Sequence, residues 1–295
     1  MRCDLHVHTV HSGMATVPVL RRFCRECYSP PEALYEKLKQ LGLDLVTVTD
    51  HDSIEAGESL RRHQDFFVSE EVTCRAPSGN EVHVGVYDIT EGQHVEIQRR
   101  RNDLPGLVAY LEEQRVFFSV NHIFSALTGR RAADDFDWFE ACFPAVEVLN
   151  GHLLAPNNHL AARLASHARR VQVGGSDAHS LSSVGSAWTE VREARNKTEF
   201  LEGLRAGRAR AHGQSGNYWK LTRDVLTIGR EMFRENPFTL LLSPLLLGIP
   251  ALTLVHHFLE ERFARKWGQA WARSRGLDSG VAIRRIRPTA GEAAA

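Results

Sequence analysis

The sequence predicts an α/β fold: a β/α barrel of about seven strands, followed by an apolar helical extension. Three observations predict it. Short apolar runs of strand length alternate with helical segments over residues 1–215. Histidine and acidic residues recur at the ends of those runs. Beyond residue 216 the composition changes, and the 24 residues 236–259 contain no Asp, Glu, Lys or Arg.

The runs at 2–8, 43–49, 66–69, 82–87, 116–120, 145–149 and 171–173 are apolar or β-branched and of strand length. Between them, PPEALYEKLKQLG opens on prolines, spaces Leu34, Leu38 and Leu41 as a helix does, and stops at Gly42. LPGLVAYLEEQ and HLAARLASHARR read the same way. Such alternation predicts a mainly parallel sheet, either an open doubly wound layer or a closed barrel. About seven strands within about 190 residues favour the barrel.

In a parallel barrel the strand C-termini open on one face, where catalytic groups gather. His6 and His8 end the first run, and Asp50, His51 and Asp52 follow the second. Glu70 and Glu71 follow the third, and His83 lies within the fourth. His122 follows the fifth, Glu147 and Asn150 close the sixth, and Asp177 and His179 follow the seventh. His6 and His8, two apart on a strand, face the same side and can share a metal. Any one of these residues alone reads as a core histidine or a helix cap. Recurrence after nearly every strand reads instead as one pocket. Its imidazoles and carboxylates suit divalent Zn, Mn or Fe, and cations would neutralise the clustered charge. Asp50 is expected to orient a ligand rather than to be one.

The 36 basic and 36 acidic residues cancel, which argues against a chain built to coat nucleic acid, and no duplex partner is expected. Five cysteines, an odd number with no secretory signal ahead of them, predict free thiols in the reducing cytoplasm. The lone C-x-x-C at Cys24 and Cys27 has no second pair to complete a zinc site.

DLHVHT (4–9), TVTDHDS (47–53), EEV (70–72), EVHVG (81–85), VNH (120–122) and GGSDAHS (174–180) together resemble the PHP family, named for polymerase and histidinol phosphatase. The resemblance covers about residues 1–210 and implies a distorted seven-stranded, TIM-like barrel holding two or three metal ions. It implies His6, His8, Glu71 and Asp177 around one metal, with Glu71 bridging to a second held by His83 and His122. His51 and His179 would hold a third. Glu71 is preferred to Glu70 because it directly precedes the apolar Val72. The family's further third-metal ligand falls here at Gly13 or Met14, neither of which can serve, and His11 is the nearest substitute. QRRRND at 98–103 resembles an arginine-rich stretch of the nucleotide-processing branch. Arg100 or Arg101 would then clamp a substrate phosphate, with Asp50 and His51 as further catalytic candidates. The lid-like insert of that branch has no room before His122.

The apolar stretch 236–259 is long enough to cross a hydrocarbon core of about 30 Å, but Pro244 and Pro250 would kink it. Its flanks are nearly balanced, with four Lys and Arg in 219–235 and five in 260–275, which predicts an interfacial or re-entrant hairpin on the cytoplasmic face, with Trp267 and Trp271 as anchors. Apolar helices packed on the barrel, or in a dimer contact, are the alternative. Residues 276–295 read as a disordered tail.

The expected activity is hydrolysis of a small phosphomonoester, nucleotide or oligonucleotide phosphate through metal-activated water. A non-catalytic metal-binding regulatory module and a membrane-tethered scaffold are the other classes this sequence admits.

Overall fold

The computed structural model describes residues 1–15 and 20–277. Its strands form two sheets. The larger takes β2 (Ser69–Arg75), β3 (Glu81–Tyr87), β4 (Phe117–Val120), β5 (Ala145–Asn150) and β6 (Val171–Gly175) in sequence order. The smaller joins β1 (Arg2–Cys3), β7 (Ala187–Glu190) and β8 (Arg210–Gly213), all antiparallel.

The expected mainly parallel sheet is corrected by this arrangement. Only β4–β5 and β5–β6 are parallel, whereas β2–β3 and β3–β4 are antiparallel. The reason for the first pair lies in the chain between them. Residues 76–80 are too few for a parallel crossover, which needs a dozen or more, and Gly79 at φ 81° turns a hairpin. The run 43–49 forms no ladder. It is held by single bonds, from Thr49 N to Val7 O, from Val46 N to Asp65 O and from Phe67 N to Val46 O. Isolated parallel bridges at Val7–Ala178, Val46–Phe66 and His51–Glu71 connect the segments around the site. Among the described residues these strands do not make the expected closed seven-stranded barrel.

The helices follow local rules. α1 (Pro31–Gln40) begins on proline and ends before Gly42 at φ 76°. α2 is Ala56–Leu60; α3 (Glu91–Arg100) starts with a Thr90–Gln93 capping box, and Asp103 caps α4 (Leu104–Glu113). α5 (Ala133–Cys142), α6 (Ala155–His167) and α7 (Lys197–Arg205) follow. A core of Val84, Val86, Leu107, Leu111, Phe118, Phe136 and Leu164 fills the space between the large sheet and α4, α5 and α6.

The extension is less separate than its composition suggests. α8 (Tyr218–Glu235) is capped by Asn217, and a 3₁₀ stretch, Pro237–Gly248, runs back along it so that Leu246 approaches Gly229. α9 (Ile249–Ser274) then crosses to α5 and α6. Trp271 is fully buried there, its indole donating to Glu140 Oε1 at 2.6 Å, and Trp267 packs on Phe136. Both tryptophans were expected at a membrane interface. The structure buries Trp271 in the core and packs half-buried Trp267 against it. The expected tail, 276–295, lies outside the described residues from 278 onward.

Candidate metal centre

The segment ends beside the sheets deliver the chemistry. β2 brings Glu71, β3 brings His83, and the turn after β4 brings His122. His6 and His8 follow β1, His51 follows the run 43–49, and Asp177 and His179 follow β6. Gly175 allows the last approach, because a Cβ there would collide with the backbone of His6. Asp52, His122 and Asp177 all hold left-handed backbone, at φ 51°, 33° and 50°. Such strain in non-glycine residues persists only where the surroundings impose it, and it clusters at functional sites.

All eight expected ligands meet. Their donor atoms form overlapping groups: His6, His8 and Asp177; His6, Glu71 and His122; His51, Glu71 and His83; and His8, His51 and His179. His6 Nε2 stands 3.1 Å from His8 Nε2, 3.2 Å from Glu71 Oε2 and 3.4 Å from Asp177 Oδ1. His8 Nε2 is 3.3 Å from the same Asp177 oxygen. Glu71 Oε1 lies 3.1 Å from His122 Nε2 and 3.5 Å from His83 Nδ1. Donors about 2.0–2.2 Å from a shared ion stand about 3.0–3.6 Å apart, so these spacings fit divalent cations.

The tautomers fit as well. His6 Nδ1 donates to Glu147 Oε1 at 2.7 Å, and Ser12, whose hydroxyl donates to Asp50, accepts from His8 Nδ1 at 2.8 Å. With each Nδ1 so engaged, both histidines present Nε2 to the cluster, as ligands of a shared cation would. Glu71 Oε2, His51 Nδ1, His83 Nδ1 and His122 Nδ1 are buried without hydrogen-bond partners among the described residues. Native proteins rarely leave such atoms unpaired.

Electrostatics follows from the crowding. Burial raises the pKa of Glu71 and Asp177, but the surrounding imidazoles, His6 foremost, hold both well below the usual carboxylate range. Burial lowers His83 and His179, yet the carboxylates overcome it: Glu71 brings His83 up to about 10, and Glu26 with Asp177 brings His179 to about 9. His8 and His51 go the other way, to about 4, because burial dominates and neighbouring imidazoles add to it.

The remaining sequence candidates sort by their partners. Asp50 is buried and accepts from Thr9 N, Thr9 Oγ1 and Ser12 Oγ at 2.6–2.7 Å, so it orients His8 through Ser12. Glu70 is engaged by His94 and Gln98, apart from the cluster. Arg100 is drawn to Glu96 and lies over Tyr110, and Arg101 pairs with Asp52 Oδ2 at 2.7 Å. Among the described residues neither arginine is paired with a clustered ligand. His11, the suggested substitute ligand, pairs instead with exposed Glu55. All five cysteines are free, and Cys27 donates to His8 O.

Sequence reasoning passed over two carboxylates. Glu147 was noted at the end of β5 but given no role; its second oxygen accepts from His122 N and Asn150 Nδ2, tying His6 to His122. Glu26 was not noticed. It faces His51 and His179 from a loop whose sequence, FCRECYSPP, carries no strand or motif signal.

A family model described as PHP-associated matches residues 155–209, the stretch holding α6, β6, Asp177 and His179. That stretch is PHP-associated, in keeping with the motifs of the sequence. No curated protein sequence matches the chain. Among solved structures, PsfC from Pseudomonas syringae PB-5123 is similar at 18% identity and a TM-score of 0.53, over 78% of this chain and 97% of PsfC. The lesion-specific endonuclease PfuEndoQ from Pyrococcus furiosus is similar at 17% identity and a TM-score of 0.51, over 72% of this chain and 58% of the endonuclease. At these identities the likeness is one of fold. Within that fold, this chain surrounds its candidate ligands with carboxylates and amides: Asn150 Nδ2 also reaches Asp177, and Asn121 Nδ2 reaches Glu71.

Proposed function

We propose that this chain is a metal-dependent phosphoesterase acting on a small phosphomonoester, a nucleotide or an oligonucleotide end. One observation carries the reading: six imidazoles and two carboxylates converge at ligand spacing, with ring nitrogens and a buried Glu71 oxygen turned inward. Divalent cations held there would acidify a water and neutralise the oxygens of a phosphate. The chain's own part is positioning. Asp50 through Ser12 fixes His8, Glu147 fixes His6, and Asn150 and Asn121 fix Asp177 and Glu71. The similar structure named an endonuclease supports including oligonucleotides in the substrate panel.

Purified protein loaded with Mn²⁺ is expected to hydrolyse members of a panel of phosphomonoesters, nucleotides and short oligonucleotides. Asp177→Ala and His8→Ala should each abolish turnover. Unimpaired turnover by either variant at saturating metal would sink the assignment.

A second feature favours a lipid surface as a partner. Phe238, Leu241 and Leu247 are 92%, 89% and 87% exposed, with Leu240, Leu245, Leu252, Val255 and Phe258 also exposed along the same stretch. The strip lies in Pro237–Ser274, which by length and composition alone is long and apolar enough to cross a membrane. Because α9 ends in the core at Trp271, the reading is of an interfacial strip that leaves the metal-binding body at the cytoplasmic face.

A further inference from the structure

The third-metal position that the sequence leaves without a ligand at Gly13 and Met14 faces a carboxylate from elsewhere in the chain. Met14 bridges to Arg25, Ala15 N bonds to Cys24 O at 2.9 Å, and Glu26 N bonds to Gly13 O at 3.1 Å. The segment carrying the unsuitable residues is thereby zipped to the one carrying Glu26. The Cys27 thiol, donating to His8 O at 3.2 Å, fastens the far side, and Arg25 pairs with Glu235 of α8 at 2.7 Å. Glu26 is left with its two oxygens divided between two imidazoles: Oε2 is 3.7 Å from His51 Nε2, and Oε1 is 3.7 Å from His179 Nε2.

The His179 partner set fixes the chemistry of this contact. Its Nδ1 lies 3.0 Å from Asp177 O, which leaves Nε2 as the nitrogen turned towards Glu26 and open to a cation. His8, whose Nε2 is also turned inward, shares a ligand group with His51 and His179. We infer that Glu26 is the carboxylate ligand of a divalent cation held with His51 and His179, taking over the position that Gly13 and Met14 do not fill. The inference rests on the metal-centre reading of the site and adds one named ligand to it.

Uptake of Mn²⁺ alone tests it, with no substrate involved. Chelator-stripped wild type, Glu26→Gln and His11→Ala are equilibrated at a series of fixed free Mn²⁺ concentrations, and bound metal per chain is measured by elemental analysis. Glu26→Gln keeps the size of the side chain and removes its charge; thermal unfolding of the stripped proteins checks that it folds. The expected result is loss of one equivalent in Glu26→Gln, or weakening of that equivalent by at least about tenfold. His11→Ala should bind as wild type does. Equal stoichiometry and affinity in wild type and Glu26→Gln overturns the assignment of Glu26 while leaving the other ions in place. Loss of the equivalent in His11→Ala instead also overturns it. A wild-type chain that takes up no ion overturns the metal-centre reading, and this inference with it.

Discussion

The metal centre and the apolar strip are opposites in physical terms. The centre buries groups that water solvates well, and the strip exposes groups that water rejects. Glu71, about 1% exposed, keeps an oxygen without a hydrogen bond among the described residues, while Phe238 and Leu241 stand almost fully in solvent. Each arrangement costs free energy in the chain alone, and each is offset by something of opposite character: cations for the first, a lipid surface for the second. The difference teaches where the partner is recognised. At the centre recognition is by fixed geometry, so single atoms matter. Along the strip it is by area, so no single side chain should.

The largest expected effects therefore come from single ligands of the centre. Asp177→Ala should lower Mn²⁺-dependent turnover by at least about 10²–10³-fold, the range seen when one preorganised electrostatic group is removed. The same centre should register in stability. Free metal at about 100 times its dissociation constant is expected to stabilise the fold by about 2.7 kcal/mol per independent site. Thermal unfolding with Mn²⁺ and with chelator measures this. An unchanged midpoint in the wild type would remove the contrast between the two regions, because the buried charges would then be satisfied without cations.

α8 and α9 connect the two regions, and a smaller effect is expected there. Glu260 of α9, 2% exposed, accepts from Ser125 Oγ, Ala126 N and Asn157 Nδ2, just beyond His122. Asp224 of α8 does the same for Ser180, Ser182 and Ser183, just beyond His179. Glu260→Ala leaves three buried donors unpaired and should cost about 3 kcal/mol or more, measured by denaturant unfolding. Burial raises the pKa of Glu260, against its hydrogen bonds. A carboxyl with a raised folded pKa contributes stability below its unfolded pKa, and that contribution is lost as pH rises through the folded value. Wild type should thus lose stability above about pH 4.5 relative to Glu260→Gln. Parallel stability–pH curves for the two proteins would mean that Glu260 titrates normally. Because these carboxylates belong to the packed body, a 1–215 fragment is expected to lose both supports, and point variants are the cleaner probes of the strip.

How much of this was legible in the sequence follows from the range of the interactions. Strand-end histidines and acids were legible because a strand of alternating side chains delivers its last residues to one place, and all eight named ligands do meet. The hairpin of β2 and β3 could have been read from the five residues between them, too few for a crossover. β7 and β8, four residues each and partly polar, gave no periodic signal. Glu26 was illegible because its position depends on Gly13 meeting it across the loop, a pairing that no spacing encodes. QRRRND shows charge but not partners, and the pairs of Arg100 with Glu96 and Arg101 with Asp52 could not be read from it. Trp271 misled: a tryptophan near basic residues reads as interfacial until the contact with Glu140 is known.

The smallest effect on the fold, and the one that most sharpens the contrast, is expected in the strip. Phe238, Leu241 and Leu247 protrude, so replacing two of them with Glu should change unfolding stability by no more than about 0.5 kcal/mol each. Turnover of soluble substrates should be unaffected, since none of the three touches a ligand. Binding to lipid is another matter. A Leu or Phe side chain moved from water into an apolar phase contributes about 1.5–3 kcal/mol. Two replacements should therefore weaken co-sedimentation with anionic vesicles by more than about 100-fold, whereas one should leave partial binding. The graded loss is the signature of recognition by area. Equal sedimentation of wild type and the double variant, with or without vesicles, would exclude a lipid surface for the strip. Self-association of the wild type that the same double variant abolishes would show a second copy of the chain to be its partner instead.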